Sequence, residues 1–206
     1  MSELPAWDGP LGPGVLVDGF RLEGLELDGT DLRGARFVDS ELERCSLEGV
    51  RLVDSRIESS RLLECSAGSV TLVGALLDEV LLEGCRVGAL EVYDAELADV
   101  TVRGGKLDFV NLRGARARDV RFEDVWIGEL DLAEVEGRRV SFSGCRVDRL
   151  DLTRARLTEV DLRGADLEAL EGVTGLAGTR VTTEQLYRLA PALAEHLGIT
   201  VDDDLP

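Results

Sequence analysis

Four cysteines, one histidine and a dense population of carboxylates are the residues of this 206-residue chain that could do chemistry. Cys45, Cys65, Cys85 and Cys145 follow one another at intervals of 20, 20 and 60 residues. Four thiolates could hold a zinc ion, provided that all four sulfurs converge to about 2.3 Å from one point. His196 has no serine or cysteine nucleophile motif beside it. The acids outnumber the bases by 41 to 23 and offer many carboxylate pairs, but general acid–base work needs a concave, partly dry site. No glycine-rich phosphate loop, metal-binding motif or nucleophile elbow is present. Whether any of these groups can act depends on the elements that hold them.

Those elements follow a five-residue clock. Every fifth residue from Val17 to Leu167 makes 31 positions, all apolar except Gly137, with no slip of register. The residue two before each forms a second series, from Val15 to Ala165, of small or apolar residues. Together the 62 positions hold no charge, where composition alone would place about 19. A helix would wind such positions around its whole surface, and a continuous strand would send alternate ones to the wrong face. A short extended piece followed by a corner satisfies the pattern, with two residues of every five pointing inward. Glycine is common just before the expected corner, as at Gly24, Gly34, Gly84 and Gly164.

Four such sides close a square coil of 20 residues, and coils stack at the strand spacing of about 4.8 Å. Residues 15–174 then make eight coils and a rod of roughly 38 Å. The tetrapeptide Leu-Arg-Gly-Ala, which begins at Leu32, Leu112 and Leu162, recurs because leucine points in, arginine points out, glycine shapes the corner and alanine opens the next side. The repeat of Thr30-Asp31-Leu32, Val110-Asn111-Leu112 and Val160-Asp161-Leu162 resembles the signature of the pentapeptide-repeat proteins. That resemblance covers about three quarters of the chain. It implies an all-β solenoid, a right-handed quadrilateral β-helix, with a C-terminal α-helical cap.

The clock decides how the reactive residues are read. The four cysteines fall in one column of the small inward slot, spread along the axis, so a metal centre is not expected and free buried thiols are. The carboxylates stand on a convex exterior, so the chain reads as a non-enzyme without cofactor or metal. Ala117 and Gly137 are small where the next side carries Phe122 and Phe142, whose rings are expected to fill the space.

The outward charges show two kinds of order. Asp39, Glu79, Asp99, Asp119 and Glu159 share one column, interrupted by Ser59 and Arg139, with Glu58, Asp78 and Glu96 beside it. This acidic ridge is a candidate partner-binding surface or a solvated face softened by Arg116 and Arg118. Along the axis, residues 78–99 carry net −6 and residues 101–121 carry net +4. Val53, Val73 and Tyr93 form an outward apolar column.

Both ends of a stacked coil need covering. Residues 1–14 read as an N-terminal cap with Trp7 over the first coil. Residues 175–206 read as a helical cap and dimerisation segment with an acidic tail, Asp202-Asp203-Asp204. There Thr182 and Gln185 form a capping box. Leu186, Leu189, Leu193 and Leu197 make one apolar stripe, Pro191 should kink or split the helix, and Gly198 should stop it. The start shows no secretory signal and no apolar run could span a bilayer, so a cytoplasmic protein is expected.

The net charge of −18 argues against nucleic acid or anionic membrane as partner and favours a protein. Members of the resembled family that act on DNA gyrase look like duplex DNA in width and charge, and confer tolerance to quinolones or related toxins. Their C-terminal helical segment makes a dimer of end-to-end rods, and Leu189, Leu193 and Leu197 are similar to that pattern. The resemblance therefore implies a homodimeric DNA mimic that binds DNA gyrase. The alternative is a structural or adaptor module for another protein partner.

Overall fold

A computed structural model describes residues 4–201. Three-residue strands alternate with corners, and each strand pairs in parallel with the strand 20 residues later. Val17 lies beside Phe37, Phe37 beside Ile57 and Ile57 beside Leu77. The expected coil length is therefore the observed one. One sheet of eight strands runs from Leu16–Asp18 to Arg156–Thr158, and a second sheet begins at Arg21–Glu23.

The remaining two sides merge. After the first two coils the chain passes from the third side to the fourth without a sharp corner, in strands of six or seven residues such as Ser66–Thr71, Arg86–Glu91 and Cys145–Asp151. Seven strands form this third sheet, which wraps around two sides. The cause lies in the backbone. Three corners of most coils hold a residue in the left-handed region, including fourteen that are not glycine, among them Asp39, Glu79 and Asp99. At the fourth corner only Gly29 and Gly49 adopt that conformation. The residues that follow in that column, beginning with Ser69 and Ala89, stay extended.

The central series fills the lumen. Of its 31 positions all but Ala67 are buried, with Leu112 at 3% and Leu152 at 0% exposure. The small slot departs from expectation at Gly105, which is exposed with φ 81°. A Cβ there would meet the Cys85 carbonyl oxygen at 2.1 Å, so the backbone at this point has no room for a side chain. Two buried serines in the same slot, Ser40 and Ser60, satisfy themselves on the coil, whereas the buried Ser55 hydroxyl has no partner. Ser60 Oγ donates to the Glu58 carbonyl at 2.7 Å and accepts from the Ser40 amide at 3.0 Å.

The ends are closed by different devices. Trp7 meets Phe20 edge-on at 5.1 Å, and its backbone N–H donates to the Arg21 carbonyl at 2.8 Å. At the other end Thr179–Arg180 adds a ninth strand to the second sheet. Helix α1, Thr183–His196, follows with the capping box of Thr182 and Gln185 in place. The Gln185 side-chain amide donates to the carbonyls of Leu162 and Ala165, each at 2.7 Å, and so satisfies two edge acceptors of the last coil. Of the expected kink or split, the split does not occur: α1 runs through Pro191 as one helix. The carbonyl that loses its amide partner belongs to Tyr187, which is exposed, so water can replace the bond. Gly198, at φ 70°, ends the helix: its N–H donates to Glu195 and that of Ile199 to Ala194. The acidic tail from Asp202 lies outside the described residues. No helix among the described residues is long and apolar enough to cross a membrane.

Phe122 and Phe142 stack with centroids 4.9 Å apart, yet the nearest neighbour to the space at Gly137 is not a ring. A Cβ on Gly137 would lie 2.8 Å from Leu157 Cδ2, one coil further along. Gly137→Leu is therefore expected to overpack the lumen and cost about 1–3 kcal/mol in urea unfolding. An unchanged midpoint would show that the coil has slack at this point.

Candidate interaction face

The first sheet exposes the residues of the expected ridge, and their column has a conformational origin. Asp39, Glu79, Asp99, Asp119 and Glu159 all sit at left-handed corner positions, with φ between 47° and 58°. Aspartate tolerates that region better than most residues, so part of the column reflects corner chemistry. Glutamate has no such preference.

Most of the ridge is neutralised within the chain. Arg139 grips Asp119 through Nε at 2.5 Å and Nη2 at 2.7 Å, which holds the Asp119 carboxyl below its ordinary value. Arg116 reaches Glu96 and Arg121 reaches Asp99, each at 2.7 Å. Looser contacts join Arg36 to Glu58 at 3.8 Å and Arg138 to Glu159 at 3.9 Å. Glu79 accepts from Ser59 Oγ at 2.9 Å. Asp39 and Asp78 have no ion-pair partner among the described residues. The structure thus brings these acids onto one face, interleaved with arginines rather than as an unbroken negative strip.

The cysteine column is observed in the small inward slot, with Gly105 and Val125 separating Cys85 from Cys145. Each of the first three thiols donates to a carbonyl of the preceding coil at 3.4 Å, Cys45 to Leu22, Cys65 to Leu42 and Cys85 to Leu62. The Cys65 thiol beside it and burial raise the Cys45 pKa, and burial raises that of Cys145. Among the described residues no three metal-ligating side chains form a cluster that could hold an ion. All four thiols should stay silent toward an aromatic disulfide reagent at pH 8 in the native protein, and all four should react after unfolding. A thiol that titrates in the native state would mean that the lumen opens.

One set of functional polar groups escaped the sequence reading. An Asp or Asn in the first outward slot accepts the backbone N–H two residues on, as Asp31 does from Arg33, Asn111 from Arg113 and Asp161 from Arg163. This is an Asx turn, and it explains what precedes Leu-Arg-Gly-Ala in all three copies. The Arg163 side chain also holds Asp161 at about 2. The signal was visible as an Asp or Asn before the inward leucine, but its role as an acceptor was not. Asp131 is the buried case: it accepts from the Ala133 amide at 2.8 Å and pairs with Arg113 at 2.9 Å. Asp131→Ala should cost about 1–3 kcal/mol because it orphans a buried N–H. The half-buried counterpart Asp31→Ala should cost less, because the N–H it leaves is open to water. Equal losses in urea unfolding would contradict the argument.

The outer apolar column is also placed. Val53 and Val73 are half-buried and Tyr93 is 37% exposed. On α1 the expected stripe divides. Leu189 is buried against the last coil and Leu193 is half-buried, while Leu186 and Leu197 are largely exposed. Tyr187, Ile199 and Val201 are exposed as well.

The family model for pentapeptide repeats matches residues 20–62 and 138–169, in eight copies. No curated protein matches the chain. Solved structures that do include trypsin-treated QnrB1, a plasmid-mediated fluoroquinolone resistance protein, at 17% identity over 92% of both chains with a TM-score of 0.23. HetL, a pentapeptide repeat protein of heterocyst differentiation regulation from the cyanobacterium Nostoc, matches at 19% identity over 81% of this chain and 89% of its own, with a TM-score of 0.29. These values are too low to place any residue of this chain on a residue of theirs.

Proposed function

We propose that this chain, built of pentapeptide repeats, is a non-enzymatic rod that binds a protein partner through its outer faces. The observation that carries the reading is the banding of charge along the axis. In successive coils from residue 15 to residue 174 the net charge runs −3, −2, 0, −4, 0, −3, +2 and −3. A duplex presents one negative charge per about 1.7 Å without interruption. The coils carry one net charge per roughly 3 Å, and a band of opposite sign lies near one end. Banding, arginine-paired acids and the apolar column of Val53, Val73 and Tyr93 suit selective docking to a protein surface of matching pattern. Among the described residues the carboxylates stand on an open outer surface, whereas acid–base chemistry needs a dry cleft.

The second reading is DNA mimicry toward a type II topoisomerase such as DNA gyrase, with tolerance to quinolones or related toxins as its outcome. The overall charge of −18 and a chain filled almost wholly by one rod favour it. In this reading Asp39, Asp78 and Glu79, which no arginine closes off, are the residues that meet the enzyme. In either case the exposed apolar end, Leu186, Tyr187, Leu197 and Ile199, is the surface we assign to end-to-end pairing of two chains, with Leu189 and Leu193 spent on the cap.

A supercoiling assay with purified gyrase separates the two. The adaptor reading expects no inhibition at micromolar protein and no shift in quinolone sensitivity on expression. Inhibition that weakens in Asp78→Arg would replace it with DNA mimicry.

A further inference from the structure

The first sheet carries a row of outward residues whose charges invert when the row is reversed. Glu58, Asp78, Ala98, Arg118 and Arg138 occupy one slot in five successive coils, each in direct register with the next. One coil from Ala98 stands Asp78 on one side and Arg118 on the other. Two coils away stand Glu58 and Arg138. Like charges in register repel, so the pair Glu58 and Asp78 and the pair Arg118 and Arg138 both weigh against the isolated fold.

These four charges are also poorly satisfied, as are Asp39, Arg56 and Glu79 on the same face, which have no ion pair among the described residues. Asp78 has no ion pair among the described residues. Glu58 meets Arg36 at 3.8 Å, Arg118 meets Asp119 at 3.9 Å and Arg138 meets Glu159 at 3.9 Å. Neighbours on the same sheet do better, with Arg116 at 2.7 Å from Glu96 and Arg156 at 2.9 Å from Glu136. The Arg118 and Arg138 side chains are 65% and 60% exposed. Together with Asp78 and Ala98 they line a surface groove of about 440 Å³ whose floor reaches Leu97 and Ala117.

We propose that this row is a self-association surface, and that its occupant is a second copy of the chain. The two first sheets lie face to face and antiparallel, related by a two-fold axis that passes between their Ala98 residues. Asp78 of each copy then faces Arg118 of the other, and Glu58 faces Arg138. Because the contact is isologous, each pairing is made twice. The register works because both rods share one coil spacing, so opposite charges align at the four charged levels of the row. A methyl group at the centre lets the two sheets approach. The row spans four coil spacings, about 19 Å, so the contact lies at the small end of interfaces and is weak and salt-sensitive. It depends neither on the partner proposed above nor on the apolar end of α1, which it would join to lateral pairs.

Sedimentation equilibrium of the full chain tests the inference, in an L197E background that removes the exposed apolar contact at the end of the rod. Association at 50 mM salt should weaken at least tenfold at 300 mM salt. D78R and R118D alone should each weaken it at least tenfold, since each sets like charges opposite one another. Mixing the two variants should restore association. The D78R copy then carries arginine at both positions and the R118D copy carries aspartate at both. The mixing arm is repeated with Leu197 intact, and circular dichroism checks that each variant keeps its coil. A chain that stays monomeric at low salt, single variants that associate like their parent, or a mixture that gains nothing would each overturn the proposal. Gain on mixing with salt sensitivity establishes it.

Discussion

Parallel stacking in register is the constraint from which the rest of this molecule follows. Each residue lies directly beside the residue 20 positions away, at about 4.8 Å, with the same side chain direction. Like therefore sits on like unless the sequence intervenes. For the lumen this is favourable, since leucine on leucine excludes water along the whole axis and each coil finishes the core of the one before. For the exterior it is a liability. Two equal charges at that spacing repel by about 1 kcal/mol even in water.

The arginines resolve that liability in a systematic way. The chain places them one coil from an acid in the same column, as in Arg116 on Glu96, Arg156 on Glu136, Arg103 on Glu123 and Arg139 on Asp119. None of these exposed pairs is worth much alone. Their effect is to remove a repulsion that the geometry would otherwise enforce. Seen this way, acidity and arginine content are one design, and a column in which the alternation fails stands out as an exception that stability does not explain.

Much of this was legible because period five leaves so few solutions. The coil length, the inward series and the capping box at Thr182 were read from residue type alone, and the structure has the same arrangement. What escaped depended on the backbone rather than on polarity. The fourth corner straightens after Gly49, although Ser69 and Ala89 look no different in hydropathy from residues at sharp corners. Gly105 occupies an inward slot by number but is exposed, at φ 81°, with the Cys85 backbone where a side chain would stand. Pro191 was expected to kink or split the helix, which is not split but continues through it. The acidic ridge was legible as a column but not as a set of pairs, since pairing needs side-chain reach that spacing does not give.

A rod of this kind separates stability from recognition more cleanly than a globular domain can. The lumen is filled from two slots of every five, so most outward residues can change without repacking it, Asp131 with its buried amide contact being an exception. Selection on binding then acts on three slots of every five, and selection on folding on the other two. The corners are where the two demands meet, because a left-handed residue such as Asp99 is constrained in conformation and still points its carboxylate at solvent. Acids at corners are therefore weak evidence of function, while charges in the outward slots at strand ends, where the backbone is extended, carry more. By that criterion Glu58, Asp78, Arg118 and Arg138 are the more informative charges of the first sheet, and the corner acids beside them are the less informative ones.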